Sequence, residues 1–275
     1  MQILGRTKSQ TKTENPKVVT NLLFVPNAKL FQISALVKND PNIIAKLGSY
    51  LSESLHVLHG EVDSMPGKEF ASVHFFVEAK NPNLTRDSIE KLLSSSPLTL
   101  NCIVAEGRDG LILDKQQFPL KLSSGHRAMF MTGDAFRSMM GRIRTVFSTG
   151  GKLIIYEEGL ASGKINASQL LHVFGQQFVF DHVEELIYLY SITGMGVPEI
   201  VMMDFDQKKA IIRLYENLEC LEAKTDKPFS EYIRGHICGI GNILFNIDTK
   251  CTETKCIAMG HEFCEFELRP VRENS

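Results

Sequence analysis

The chain has 275 residues, enough for two domains of ordinary size. Its formal charge is -2, with 43% hydrophobic and 23% charged residues, so the whole-chain balance gives no electrostatic argument for nucleic acid or an anionic membrane surface. No apolar run approaches the roughly 20 residues of a bilayer span, and the polar start lacks a secretory apolar core; the expectation is a cytoplasmic protein, no membrane partner, and six reduced cysteines.

Residues 1–22 are polar, without apolar period, and read as a flexible arm. Residues 31–37 alternate with period two and predict a strand. A turn at 39–42 leads to Ile43, Ile44, Leu47, Leu51, Leu55 and Leu58 at helical spacing. A weak strand around Val62 ends at the turn of Met65, Pro66 and Gly67. A strand at 72–77, a helix at 84–93 and a strand at 98–105 follow. The order β-α-β-β-α-β predicts a ferredoxin-like domain over 23–118.

The second domain, expected over 119–275, is α+β. Its predicted elements are a helix at 129–147, a strand at 152–156 and a loop punctuated by Gly159 and Gly163. A helix at 167–192 comes next, then a hairpin of 199–205 and 209–215. A helix at 229–245 and strands at 252–258 and 263–268 close it. The basic stretch 137–144 reads as a solvated helix face. No helix-turn-helix segment is evident, so direct DNA binding is unsupported.

The cysteines at the end of the chain follow C-x4-C-x7-C (Cys251, Cys256, Cys264), with Glu253 inside. Thiolate sulfur suits zinc, and a carboxylate completes a tetrahedral set. On a strand Cys251 and Glu253 share a face, whereas Cys256 points away unless the strand bends. A turn at Gly260 would return Cys264 beside Cys256. Metal ligands, inert buried thiols and a redox pair all suit these residues; the spacing favours a metal. His261, after Gly260, is expected exposed in the turn. Apolar residues exceed the needs of one thin layer, and Phe147, Phe174, Phe178 and Met202 are candidates for an apolar ligand pocket, core filling being the alternative. No phosphate loop, nucleophile elbow or paired-His motif is present, so no enzyme and no catalytic residue is expected.

Two resemblances follow from these residues. The strand, "NDPNIIA" turn and helix over 36–45 are similar to the opening of an ACT domain, with Asn42 where that family usually has Gly. The run Glu253, Cys256, Gly260, Cys264 and Phe266 resembles the 4-vinyl reductase domain family. The glycine pair Gly235 and Gly239 resembles it too, as does the pattern of Ile154, Ile155, Tyr156, Gly159 and Gly163, matched to the family's first strand and loop. That resemblance implies kinship in fold with a vesicle-tethering subunit, haem-based nitric-oxide sensors and phenol-sensing domains. It also implies a structural zinc held by one Glu and three Cys. Glu253, Cys256 and Cys264 match three ligand positions; the fourth falls on Ser230, leaving Cys251 or Cys238 as substitute, or an empty site. The implied role is a cytoplasmic small-molecule-sensing regulatory protein. It would bind a hydrocarbon-like or aromatic effector, pair as a homodimer and modulate a partner such as a transcription factor. The alternative is an interaction or scaffold module without effector; a reductase accessory is a third reading.

Overall fold

The computed structural model describes residues 2–4, 18–40, 42–64, 67–122 and 125–271. Most of the expected arm, Pro41 of the first turn, and Met65 and Pro66 of the second lie outside the described residues. The chain divides into two compact units, Asn15–Ala128 on one hand and Met129–Ser275 with Met1–Glu14 on the other. This division falls ten residues beyond the expected 118/119 boundary.

Of the expected arm, Gln2–Leu4 forms strand β1 and Leu22–Phe24 forms β2. Three-residue strands have too little period to read in a sequence. The N-terminal unit continues with β3 (Leu30–Lys38), α1 (Ile43–Ser52), β4 (Leu55–Asp63), β5 (Phe70–Ala79), α2 (Arg86–Ser94), β6 (Thr99–Glu106) and β7 (Leu111–Leu113). Four strands form an antiparallel sheet in the order β4-β5-β3-β6, the split arrangement expected of βαββαβ; β2 and β7 pair as a separate ribbon. Alternation along β3 turns Phe31, Ile33, Ala35 and Val37 into the core. There they meet Ile43, Leu47 and Leu51 of α1 and Ile89 and Leu93 of α2. Leu55 and Leu58, which prolong the helical spacing in the sequence, belong to β4. Thr85 caps α2, its hydroxyl accepting from Ser88 N, while Ser88 Oγ accepts from Thr85 N in return.

The C-terminal unit opens with the long α3 (Gly133–Phe174), bent at Ser148, whose φ of 49° and ψ of -123° are not helical. The two arms fold together there: a Cβ on Gly151 would lie 2.4 Å from the carbonyl oxygen of Ile143. Residues 152–156 are therefore helix, not the expected strand, and the loop expected around Gly159 and Gly163 is helix too. The β-branched run is overridden by a four-residue period: Gly151, Ile155, Gly159, Gly163 and Ala167 are the buried stripe of the second arm. Short helices α4 (Gln176–Asp181), α5 (Val183–Leu186) and α6 (Leu189–Ile192) replace the end of the helix expected to run to 192.

Strands β8 (Val197–Asp204) and β9 (Lys209–Tyr215) form the expected hairpin. A 3-10 turn (Leu218–Cys220), α7 (Glu231–Phe245), β10 (Thr249–Lys255) and β11 (Cys264–Pro270) complete the unit. The sheet order is β1-β8-β9-β11-β10, antiparallel throughout. One face of α7 buries Ile233, Ile237 and Cys238 against sheet residues such as Ile212, Leu214, Phe266 and Leu268. Its other face meets α3 through interlocked glycines. A Cβ on Gly159 or Gly163 would lie 2.1 Å from the carbonyl oxygen of Tyr232 or His236. On Gly235 or Gly239 it would lie 2.1 or 2.2 Å from that of Tyr156 or Leu160. Only glycine allows backbones this close. His236 lies at this crossing, with Nδ1 2.6 Å from Tyr190 Oη and Nε2 2.9 Å from Asn166 Nδ2. No helix of the described residues is long and apolar enough to cross a membrane.

Candidate metal centre

Four buried side chains converge where the β9–α7 connection meets the β10–β11 hairpin: Cys220, Glu253, Cys256 and Cys264. Their ligand atoms all lie within 4.8 Å of one another. Cys220 Sγ is 3.6 Å from Cys256 Sγ and 3.7 Å from Cys264 Sγ. Four metal–sulfur bonds of about 2.3 Å directed to a tetrahedron have edges of about 3.8 Å. These separations fit that edge and are far longer than a disulfide of about 2.05 Å; all six cysteines are free thiols.

Local structure explains the convergence. The β10–β11 register shifts between Glu253 and Lys255, so that residues 253–255 on β10 oppose only Phe266 and Glu265 on β11. That bulge is the bend needed to bring Cys256 to the Glu253 side. The chain then makes a 3-10 turn and reverses at Gly260, whose φ of +92° favours glycine. Cys264 begins β11 opposite Leu214. His261 is exposed, as expected, with Nδ1 3.1 Å from the Cys256 carbonyl oxygen.

Cys220 was not among the candidates; it completes the group from the 3-10 turn after β9. Its neighbour Glu219 fixes that turn, accepting from Tyr232 N at 3.1 Å and Ile233 N at 3.0 Å at the start of α7. Arg144 bridges Glu219 (2.5 Å) and Glu231 (2.7 Å), with its guanidinium 4.0 Å from the Phe229 ring centre. Arg144 is thus a buried clamp and not part of a solvated face. Burial pushes the Glu219 carboxyl up to about 7.

Ser230, at the position where a fourth cysteine is implied, serves the carboxylate instead. Its Oγ donates to Glu253 Oε1 at 2.7 Å and its N donates to Oε2 at 3.0 Å. Ile257 N and Asn217 Nδ2 each donate to Cys264 Sγ at 3.3 Å. Such donors orient and stabilise ligands from behind. With no cation among them the four groups share protons. S–H bonds from Cys220 and Cys264 hold the Cys256 thiol far below its usual range, and donation to Cys256 pushes Cys220 far above. Cys264, relieved by Cys220, is still pushed up to about 12 by Cys256 and burial. Burial pushes Glu253 up to about 8. A buried set of three sulfurs and one carboxylate, all favoured in ionised form by a dication, can hold a metal ion.

The other expected ligands lie outside this group. Cys251 shares the Glu253 face of β10 but packs in the core with Cys238. Cys238, on α7, donates to the Thr249 carbonyl oxygen at 3.0 Å. The pocket candidates do not converge either. Phe147, Phe174 and Phe178 are 56%, 46% and 42% exposed, and Met202 is half-buried on β8. Phe174 and Phe178 stack on each other, with ring centres 5.2 Å apart.

Comparison with known proteins agrees on this region. Residues 210–270, from β9 to β11, match the 4-vinyl reductase domain. An uncharacterized protein of Methanocaldococcus jannaschii is 28% identical over 112 residues, covering 39% of this chain and 67% of that protein. Among solved structures, the phenol-responsive sensory domain of the transcription activator PoxR overlays with a TM-score of 0.45 at 13% identity, over 53% of this chain and 77% of that one. A vinyl-4-reductase family protein from M. jannaschii overlays at 0.34 and 18%, over 53% and 100%. A trafficking protein particle complex subunit 3 from Naegleria fowleri, covalently bound to palmitic acid, overlays at 0.39 and 15%, over 51% and 98%. These overlays are too loose to bear on function. The four converging side chains all fall within the one matched segment, residues 210–270, which is a 4-vinyl reductase domain.

Proposed function

We propose that this chain is a ligand-sensing regulatory protein whose C-terminal unit, the one with the 4-vinyl reductase segment, is stapled by a structural zinc and takes up an apolar effector. The observation that supports it is the closed Cys220, Glu253, Cys256 and Cys264 group inside the matched segment. Four protein ligands leave no open position, which makes the metal a staple and not a catalyst. Zinc would be held by the three thiolates and the Glu253 carboxylate, tying residue 220 to a hairpin 33 to 44 residues further on. The effector then belongs to the apolar residues that the core leaves over, on α3 and the short helices after it. In this reading the N-terminal unit is an ACT-like module that pairs chains or binds a metabolite, and output passes through a partner such as a transcription factor.

Native mass spectrometry of the full chain, as isolated and after exposure to aromatic and lipid extracts, tests the reading. A mass corresponding to one zinc, plus a retained apolar molecule at one per chain, is the expected result. A metal-free chain that retains nothing overturns it. The exposed aromatic pair Phe174 and Phe178 favours a second reading, an interaction module without effector. That reading predicts the zinc, a co-purifying protein and no small molecule.

A further inference from the structure

The open face of the N-terminal sheet holds a second group of donors, unrelated to the cysteines. His59 and Glu61 are two apart on β4 and share a face, and Glu61 pairs directly with His74 on β5. Strand pairing of this kind places facing Cβ atoms about 5 Å apart. All three side chains line one small cleft of about 10 Å³, together with Thr20, Gln32 and Gln117. A cleft of that size admits about one water or one ion.

The hydrogen bonds orient both imidazoles. His74 Nδ1 is 2.9 Å from Ser34 Oγ, and among the described residues its Nε2 has no protein partner. His59 Nδ1 is 3.3 Å from Thr20 Oγ1, and its Nε2 is 3.4 Å from Glu61 Oε1. With each Nδ1–H donated to a hydroxyl, both Nε2 lone pairs are left for a ligand, which is how metal-binding histidines are usually set. Glu61 would then face the His59 Nε2 lone pair with a carboxylate, two acceptors that need a cation between them. The surroundings favour positive charge: burial lowers the pKa of His74, but Asp114, Glu61 and Asp63 all oppose that shift.

We infer that His59, Glu61 and His74 form a binding site for a divalent first-row transition-metal ion. Two imidazoles and one carboxylate suit zinc, cobalt, nickel or iron(II) and leave coordination positions open to water or a small ligand. The ion would replace the proton that otherwise lies between His59 and Glu61, with both imidazoles turning inward. In contrast to the closed cysteine group, such a site exchanges its ion and responds to metal supply.

Cobalt(II) titration of the purified full chain tests this, followed by calorimetry and absorption. Cobalt bound to cysteine gives sulfur-to-metal charge-transfer bands, and cobalt on His and Glu gives none. The failure of the cysteine reading is therefore seen separately from the failure of this one. The expected result is one equivalent taken up without a sulfur band. His74→Ala should abolish that equivalent, and Ser34→Ala, which frees the imidazole, should weaken it about tenfold. His56→Ala, at an exposed histidine beside Glu78, should leave it unchanged. Thermal unfolding of each variant checks that the sheet is intact. A wild-type chain that binds no cobalt without a sulfur band overturns the proposal. So does a folded His74→Ala or Ser34→Ala chain that binds it with unchanged affinity.

Discussion

The C-terminal unit buries two sets of cysteines, and only one of them is built for a metal. Cys238 and Cys251 are as buried as Cys220, Cys256 and Cys264. Their neighbours differ. Cys238 bonds to a Thr249 carbonyl and packs with aliphatic and aromatic side chains; burial pushes the Cys251 thiol well above its usual range, and the nearby Cys238 adds to it. The other three face one another and a carboxylate, and amide donors point at the sulfur of Cys264. Burial and residue type are shared, so what separates a metal ligand from a small hydrophobe here is the company of a second acceptor and of donors behind it.

Substitutions can break that contrast. Cys220→Ser should have the largest effect. A structural zinc site contributes about 10 kcal/mol or more of binding free energy that is also folding free energy. That is comparable to the whole stability of a domain. The C-terminal unit should lose its cooperative thermal transition while the N-terminal unit keeps its own, as read by calorimetry.

Next come effects of about 3 kcal/mol that leave the metal in place. Gly239→Ala, beside Cys238, would drive a methyl group into the Leu160 carbonyl and should cost about that much in denaturant unfolding, with full metal content. His236 gives a similar figure through pH. Burial lowers its pKa from 6.5 to about 4. Its neutral form is therefore the folded one, and the unfolded chain takes up the proton first as pH falls. Stability should be level above about pH 6.5 and decline between there and pH 4, by up to about 3 kcal/mol. A His236→Gln chain should lose that slope.

Smaller still, Ser230→Ala should weaken metal retention against a chelator by about tenfold, because Glu253 loses its hydroxyl partner. Cys251→Ala should be smallest, about 1 kcal/mol with metal unchanged.

How much of this was legible depends on the range over which each signal acts. The βαββαβ order, the β8–β9 hairpin and α7 follow from period and turn residues, which are local. Glu253, Cys256 and Cys264 form one short run around a single turn, and they do come together. Cys220 does not belong to that run. It lies 33 residues before Glu253, and no spacing joins it to the others; the β9–β11 pairing of the folded sheet does. The available signal was its place just after the hairpin, following Asn217, whose side chain caps the 3-10 turn. The run 152–156 misled in the opposite way. Its β-branched residues suggest a strand, but Gly151, Gly159 and Gly163 make a helix face that only α7 could have revealed.

Elemental analysis of the purified full chain beside its Cys220→Ser and Cys251→Ser variants, all expressed with zinc supplied, tests the central claim most directly. The account predicts one zinc per chain in the wild type and in Cys251→Ser, and a loss of zinc in Cys220→Ser. Zinc retained without Cys220, or lost without Cys251, would contradict it.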